Sequence, residues 1–320
     1  MSGIQIAERL KAADIITIFR HQRPDCDALG AQFGLKYWLQ ENFPDKTVLA
    51  LGFEQGIQGD FPVSDQADDD VIRRSTAVIL DTAGKDRVDD ARFAQAAYQI
   101  KIDHHPDLEP FGDLSYVDEK AAAVCEILAH LFASLEPEYS VSLRTAECLY
   151  RGLLTDTLCF RTANTTASTL AAASWLATKG IHIPELNHEL FDQTLQEFSF
   201  SGFIRRSVMI RESSACVILN RQELLDWHMT GSQARNFIDD LGHVREFQTW
   251  AIFTQHEDPN DDRYDGSLRS KHIAVNEIAR QYGGGGHRNA AGVKNLSRAE
   301  IDEIIEKMIS AVSVCDQEFV

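Results

Sequence analysis

Apolar residues over the first hundred positions come in short blocks. IITIF at 15–19, TVLALG at 47–52, TAVIL at 76–80 and YQIKI at 98–102 are β-branched or apolar runs of strand length. Segments of helical spacing stand between them, ALGAQFGLKYWLQENF after the first run and DDARFAQAAY before the last. Such alternation predicts an α/β fold, a mostly parallel sheet with helices on both faces. From about 121 to 180 the pattern turns helical, as AAAVCEILAHLFASL, SLRTAECLYRGLL and ASTLAAASWLATKG, the last ending on Gly180 as a cap.

IHIPELNHELFDQTLQEFSFSGFIRRS then reads as a connecting stretch with helical character. After it come strand runs ACVIL and TWAIF, helices around QELLDWH and SQARNFIDDL, a polar turn EDPNDDRYDG and a closing helix SRAEIDEIIEKMISAV. The expected organisation is a domain over 1–188, a linker over 189–206 and a smaller C-terminal α/β domain over 207–320, and a length of 320 residues suits two cores.

A hydrophobic content of 44% and a charged content of 25% fit an ordinary folded protein. Acidic residues outnumber basic ones 49 to 31, giving a net charge of −18, which disfavours coating long DNA or RNA. Short phosphorylated substrates stay open, because a few basic groups or bound divalent cations invert the field locally. The N-terminal MSGIQIAERLKAADIITIF lacks the layout of a signal peptide, and no apolar run approaches the roughly 20 residues that span a membrane, so a cytoplasmic protein is expected. Six cysteines without a C-x-x-C pair indicate neither a zinc ribbon nor a disulfide framework. DQADDD at 65–70 lacks EF-hand spacing and reads as a solvated loop.

Each strand of the first domain runs into potential metal ligands: IITIF into His21, Asp25 and Asp27, TAVIL into Asp81, YQIKI into Asp103, His104 and His105. Ligands bind at the carboxyl ends of strands in open parallel sheets, so these groups are expected to converge. Asp156, in GLLTDTLCF, stands where an apolar helical run turns polar. Taken singly, Asp81 is a turn former and His104 a core histidine. Four separate element ends all supplying Asp or His are not explained by turn chemistry. Carboxylates and imidazoles without thiolates suit manganese, magnesium or iron, and the number of aspartates suggests two ions. A cation pair roughly 3.5 to 4 Å apart clamps both oxygens of a phosphoryl displacement, so phosphoester hydrolysis is the expected reaction.

HQRPDCD, LDTA, IDHH and LLTDT resemble, in order, the four motifs of the DHH phosphoesterase superfamily, named after the triplet present as Asp103, His104 and His105. The resemblance implies two Mn2+ per chain, with Mg2+ or another divalent ion as a substitute. It places His21, Asp25 and Asp81 on one ion and Asp27, Asp81, His104 and Asp156 on the other, Asp81 bridging. His105 would face the substrate phosphate and Asp103 would orient the histidines. The sequence departs from the family at Cys26, where glycine is common; a side chain there either packs against the sheet or makes the site sensitive to oxidation.

In the second domain, YGGGGHRNAAG at 282–292 lets backbone N–H groups approach an anion closely. With SLRSK at 267–271 it resembles the DHH-associated C-terminal domain. By motif position Arg269, Ser270, Gly284, Gly285, Gly286 and His287 would bind the far side of the substrate, with Arg288 beside them, and the active site would lie in the cleft between the domains. The lysine-rich second domain of family II pyrophosphatases, the oligonucleotide-binding fold of the longer single-strand exonucleases and the membrane segments of cyclic di-AMP phosphodiesterases are not found in this sequence.

What remains resembles the stand-alone, nanoRNase-type oligoribonucleases, which degrade very short RNA and dephosphorylate 3′-phosphoadenosine 5′-phosphate (pAp). The expected partners are short RNA and small nucleotides, with no long DNA and no membrane, and a homodimer is allowed. Soluble relatives that hydrolyse cyclic di-AMP or pApA are the alternative. A non-catalytic nucleotide-binding regulator fits poorly with six competent ligand positions.

Overall fold

The computed structural model describes residues 3–54, 59–107, 109–136 and 138–318, and only the backbone of residues 4 and 313–318. The chain divides into two units, Met1–Asp192 and Gln193–Val320.

In the first unit α1 (Gly3–Ala12) leads into β1 (Ile15–Phe19), α2 (Cys26–Asn42), β2 (Thr47–Ala50), α3 (Asp69–Arg74), β3 (Thr76–Leu80), β4 (Tyr98–Asp103) and β5 (Leu114–Val117). Four helices follow, α4 (Val124–Leu135), α5 (Leu143–Asp156), α6 (Ala167–Ala177) and α7 (Ile183–Phe191). The strands form one parallel sheet in the order β2-β1-β3-β4-β5. The order reverses between β1 and β3, and at such a switch point the connections leave in opposite directions and open a crevice beyond the strand ends.

Strand alternation sorts the core. Ile16, Ile18, Val78, Leu80, Ile100 and Ile102 face the larger cluster shared with α1, α2, α4 and α5. Phe19, Ala77 and Ile79 face a smaller one closed by Ile72 of α3, Phe93 and Phe111.

Two glycines let α2 and α5 touch backbone to backbone. A Cβ on Gly30 would come within 2.4 Å of the Cys148 carbonyl oxygen, and one on Gly152 within 2.8 Å of the Asp27 Cα. Any larger residue would push the two helices apart, and both carry site residues.

Two local expectations differ from the structure here, and one strand was not expected at all. DDARFAQAAY forms only a 3-10 turn at Ala91–Gln95. The Asp90 carboxylate accepts both the Arg92 N–H and its guanidinium, which closes the segment on itself. Asp65, in the stretch read as solvated, accepts from Lys36 Nζ at 2.6 Å and Ala50 N at 2.7 Å, tying that loop to α2 and β2. The short edge strand β5 has no β-branched run to announce it.

The second unit contains α8 (Leu195–Arg206), β6 (Met209–Arg211), β7 (Ser214–Leu219), α9 (Arg221–Asp226), α10 (Gly231–Arg235), α11 (Asp239–Gly242), β8 (Thr249–Gln255) and β9 (Tyr264–Ser270). It ends with α12 (Val275–Arg280), β10 (Gly285–His287), β11 (Ala290–Leu296) and α13 (Arg298–Glu318). The sheet order is β10-β11-β9-β8-β7-β6, with β7 and β8 parallel and the other pairs antiparallel.

Residues 189–206, expected to connect, are largely helical, being the end of α7 and the whole of α8. Phe200 and Ile204 of α8 are buried with Val217 and Ile252, so α8 is part of the second unit's core. Tyr264, Asp265 and Gly266, read as turn, open β9, and SQARNFIDDL is divided into α10, a 3-10 turn at Asn236–Ile238 and α11 instead of one helix.

Candidate metal centre

Every aspartate and histidine expected to be a ligand stands at or close to the end or the start of an element of the first unit. His21 comes two residues after β1, Asp25 is the N-cap of α2, and Asp27 lies in the first turn of that helix. Asp81 follows β3, His104 follows β4, and Asp156 is the last residue of α5. Their donor atoms fall into three overlapping groups, each within 4.8 Å: His21, Asp25 and Asp81; Asp27, His104 and Asp156; Asp81, His104 and His105.

Asp81 stands at the centre in left-handed backbone geometry, with φ 51°, strained for a residue with a side chain. Its Oδ2 is 3.3 Å from His21 Nε2, and its Oδ1 is 3.5 Å from His104 Nε2. Oδ1 is buried without a hydrogen-bond partner among the described residues. A buried carboxylate oxygen left in this way is costly unless a cation meets it, so the residues fit a metal site.

The neighbours of each ligand fix its aim. Asp25 Oδ1 caps α2 by accepting from Asp27 N and Ala28 N, both at 3.0 Å, while Oδ2 lies 3.7 Å from His21 Nε2. Asp27 receives the first two N–H groups of α4, from Val124 at 2.6 Å and Cys125 at 2.9 Å, where the helix dipole favours negative charge. His21 Nδ1–H donates to the Gln22 carbonyl at 2.7 Å and His104 Nδ1–H to the Ala121 carbonyl at 3.3 Å. Both rings therefore turn Nε2 towards the carboxylates, the tautomer a metal requires.

His105 differs. Its Nδ1 lies 3.4 Å from Asp81 but donates to Asp103 Oδ1 at 2.9 Å, which sets it apart from the ligand group. Asp103 Oδ1 also accepts from the backbone of His104 at 2.8 Å and of His105 at 3.2 Å.

Electrostatics express the crowding of acids. Burial, reinforced by Asp81, pushes the Asp27 carboxyl up to about 6, and burial with Asp27 pushes Asp156 up to about 8. Burial alone would lower His21 and His104, but the neighbouring carboxylates, Asp25 and Asp81 for the first and Asp81 and Asp27 for the second, outweigh it and raise each to about 10. Burial works against ionised Asp81 too, yet His104 and His21 hold it below the usual carboxylate range. Protons are doing here what a cation would do.

No thiolate joins the donors. Burial, then the nearby Asp25 charge, pushes Cys26 up to about 12, and burial keeps Cys125 protonated with its Sγ donating to the Asp27 carbonyl at 3.6 Å. The structure thus opposes oxidation chemistry at Cys26 and supports packing.

Sequence reasoning passed over Lys101, a fully buried lysine 3.4 Å from Asp103 Oδ2. Its only signal was a charge between two isoleucines inside a strand.

In the second unit, His287, Ala290, Arg269 and Trp250 form one register row across β10, β11, β9 and β8. The small Ala290 thus stands between Arg269 and His287 on one face. Arg269 is half-buried, with Nη1 donating to the Leu268 carbonyl at 3.0 Å. Ser270 points to the other face, where its hydroxyl donates to the Ile273 carbonyl and accepts from Asn289 Nδ2 at 3.0 Å. Gly284 and Gly286 admit no Cβ without meeting the carbonyls of Gly292 and Ala290, whereas Gly285 faces open space. Arg288 is exposed and reaches the His272 carbonyl at 3.5 Å. Asn289, also passed over, holds the turn through the Lys271 carbonyl at 3.0 Å. A cavity of about 420 Å³ lies beside the glycine run, lined in part by Arg235, Asp265 and Lys294. No described helix is long and apolar enough to cross a membrane.

Comparison with known proteins agrees with this architecture. The DHH family N-terminal domain matches residues 15–153 and the DHHA1 domain residues 216–314. A probable bifunctional oligoribonuclease and PAP phosphatase NrnA from Streptococcus mutans is 33% identical over 304 residues, covering 95% of this chain and 96% of its own. The bifunctional oligoribonuclease and PAP phosphatase NrnA of Bacillus subtilis is 32% identical over 303 residues, covering 94% and 96%. An exopolyphosphatase-related protein from Bacteroides fragilis, at 22% identity, shares the fold with a TM-score of 0.83 over 96% of this chain and 95% of that one. The chain therefore belongs to the DHH family, as a hydrolase with a DHH N-terminal domain followed by a DHHA1 domain.

Proposed function

We propose that this protein is a two-ion, manganese-using phosphoesterase that hydrolyses short 5′-phosphorylated oligoribonucleotides and pAp. The observation that carries the reading is the division of Asp81, whose two oxygens face different donor groups. That division supports a bridging role. His21, Asp25 and Asp81 would hold one ion, and Asp27, Asp81, His104 and Asp156 the other. Such ions supply Lewis acidity to a phosphoryl oxygen and acidify a water. The nitrogen and oxygen donor set without thiolate supports manganese over a structural zinc.

The chain's own groups do the rest. His105, its ring fixed through Nδ1 by Asp103, would present its other edge to the substrate phosphate. Arg269 and His287, in one register row, would hold a terminal phosphate, and the main chain at Gly285 and Gly286 would add to that cradle, whereas the Gly284 N–H is committed to the Ala279 carbonyl at 2.9 Å. Ser270, whose hydroxyl is committed within the turn, would set the position of Arg269. The names of full-length relatives support short RNA and pAp as substrates.

The test is product analysis of the manganese-loaded protein with pAp, pApA, cyclic di-AMP, a ladder of short RNAs and pyrophosphate. The expected result is mononucleotide from short RNA and orthophosphate from pAp. Cleavage of cyclic di-AMP or pApA far faster than of other substrates would overturn the proposed specificity.

A further inference from the structure

We propose that Lys101 is a positioning residue for the phosphoester reaction, acting through Asp103 on His105; this rests on the reading of His105 as the phosphate-facing group. Lys101 lies inside β4, paired with Ile79 on the face of the smaller core, and its side chain is fully buried. Burying an ammonium is unfavourable unless its three N–H donors are met. Here three acceptors surround it. Nζ donates to the Ala83 carbonyl at 3.3 Å and Asp107 Oδ1 at 3.0 Å, and lies 3.4 Å from Asp103 Oδ2.

These acceptors come from separate segments. Ala83 is two residues beyond Asp81, Asp103 ends β4, and Asp107 is two residues beyond His105. One ammonium therefore ties the loop carrying the bridging aspartate to the loop carrying both histidines.

The consequence for His105 follows from the two oxygens of Asp103. Oδ2 has no hydrogen-bond partner among the described residues, and the ammonium is the charge that compensates it. With Oδ2 drawn to Lys101, Oδ1 is turned to accept His105 Nδ1–H and the two backbone N–H groups. Replacing Lys101 by an apolar side chain removes the reason for that rotamer, and the imidazole loses its fixed direction. Lys101 reaches no donor of the metal groups except through these loops, so the effect should fall on turnover and not on ion binding.

The test compares Lys101→Met, Asp103→Asn and the double variant with the full chain. Turnover and KM on pAp with Mn2+ are measured beside Mn2+ affinity by calorimetry and the His105 ring tautomer by nitrogen NMR of the metal-free protein. Lys101→Met should lower kcat by about 10- to 100-fold, the usual effect of losing such a partner, with KM and Mn2+ affinity within about two-fold. The Nδ1–H tautomer of His105 should become mixed. The double variant should be no slower than Asp103→Asn alone, because both act through one path.

If Lys101→Met folds poorly, the double variant, which removes both charges together, still gives this comparison with Asp103→Asn. Additive losses in the double variant, or a fall in Mn2+ affinity that matches the fall in turnover, would assign Lys101 to the framework and overturn the proposal. Full activity of Asp103→Asn would instead overturn the role given to His105, and the inference with it.

Discussion

The first unit crowds seven ionisable donors into overlapping groups at the ends of three strands and two helices. The second spreads its candidate binding groups along a row of strands floored by glycine and alanine. In one region side chains make the site, and their mutual repulsion must be met by protons or cations. In the other the absence of side chains leaves the main chain around Gly285 uncovered, with Arg269 and Arg288 nearby in the same sheet region. The lesson is about tolerance: the first arrangement depends on charge and the second on shape.

The sharpest break of that contrast is at Asp81. Asp81→Asn keeps a residue that tolerates left-handed backbone and removes the shared charge, so hydrolysis should fall on the order of 10³-fold with the fold retained. Substantial activity with manganese would refute a bridging role. Alanine is a poorer probe, since strain at φ 51° would add about 1 kcal/mol of instability.

Next in size is Arg269→Ala, expected to raise KM for pAp and short RNA by about 10- to 100-fold, the worth of a charge-assisted hydrogen bond. Hydrolysis of a small generic phosphodiester should stay near wild type, and equal loss on both substrates would dissolve the division of labour.

The third prediction concerns pH in the metal-free protein. Asp27 and Asp156 titrate at about 6 and about 8 against an ordinary 3.8, and His21 and His104 at about 10 against 6.5. Each raised group favours the folded state while protonated and loses that contribution as pH climbs through its folded value. The Tm of chelated protein should therefore drop by several degrees between pH about 4 and 10, the two aspartates acting first and the two histidines last. Asp81, shifted the other way, acts only in acid. Manganese should restore most Tm at the alkaline end, because ligands shed protons to bind it. A flat Tm across the window would show that the acids do not strain the fold.

The smallest effect separates two adjacent glycines. Gly284→Ala places a Cβ 2.3 Å from the Gly292 carbonyl and should cost about 1–3 kcal/mol in denaturant melts. Gly285→Ala meets open space, so stability should change by less than about 0.5 kcal/mol, and any rise in KM would report directly on substrate approach.

How much of this was legible in sequence follows the same contrast. TAVIL, flanked by turn residues and apolar throughout, announced β3 to the residue, and the aspartates and histidines after each strand announced themselves by type. LSYV did not announce β5, because a half-buried edge strand needs little hydrophobicity. DDARFAQAAY carried helical spacing that a local Asp90–Arg92 clasp overrode. Lys101 stayed hidden because its partners, Ala83 and Asp107, come together only when the strands pair. In the second unit the motif was visible, but the row that joins Arg269 to His287 depends on strand register.

Gly152 has a consequence for ion choice. It lies one helical turn before Asp156 on α5, and its missing side chain seats that helix against the backbone of Asp27. The spread between these two carboxylates is thus set by main chain pressed on main chain, which yields far less than a side chain would. In the proposed two-ion reading the site would act as a fixed calliper that grades divalent ions by radius, and Gly152→Ala should open it and move its preference towards larger ions.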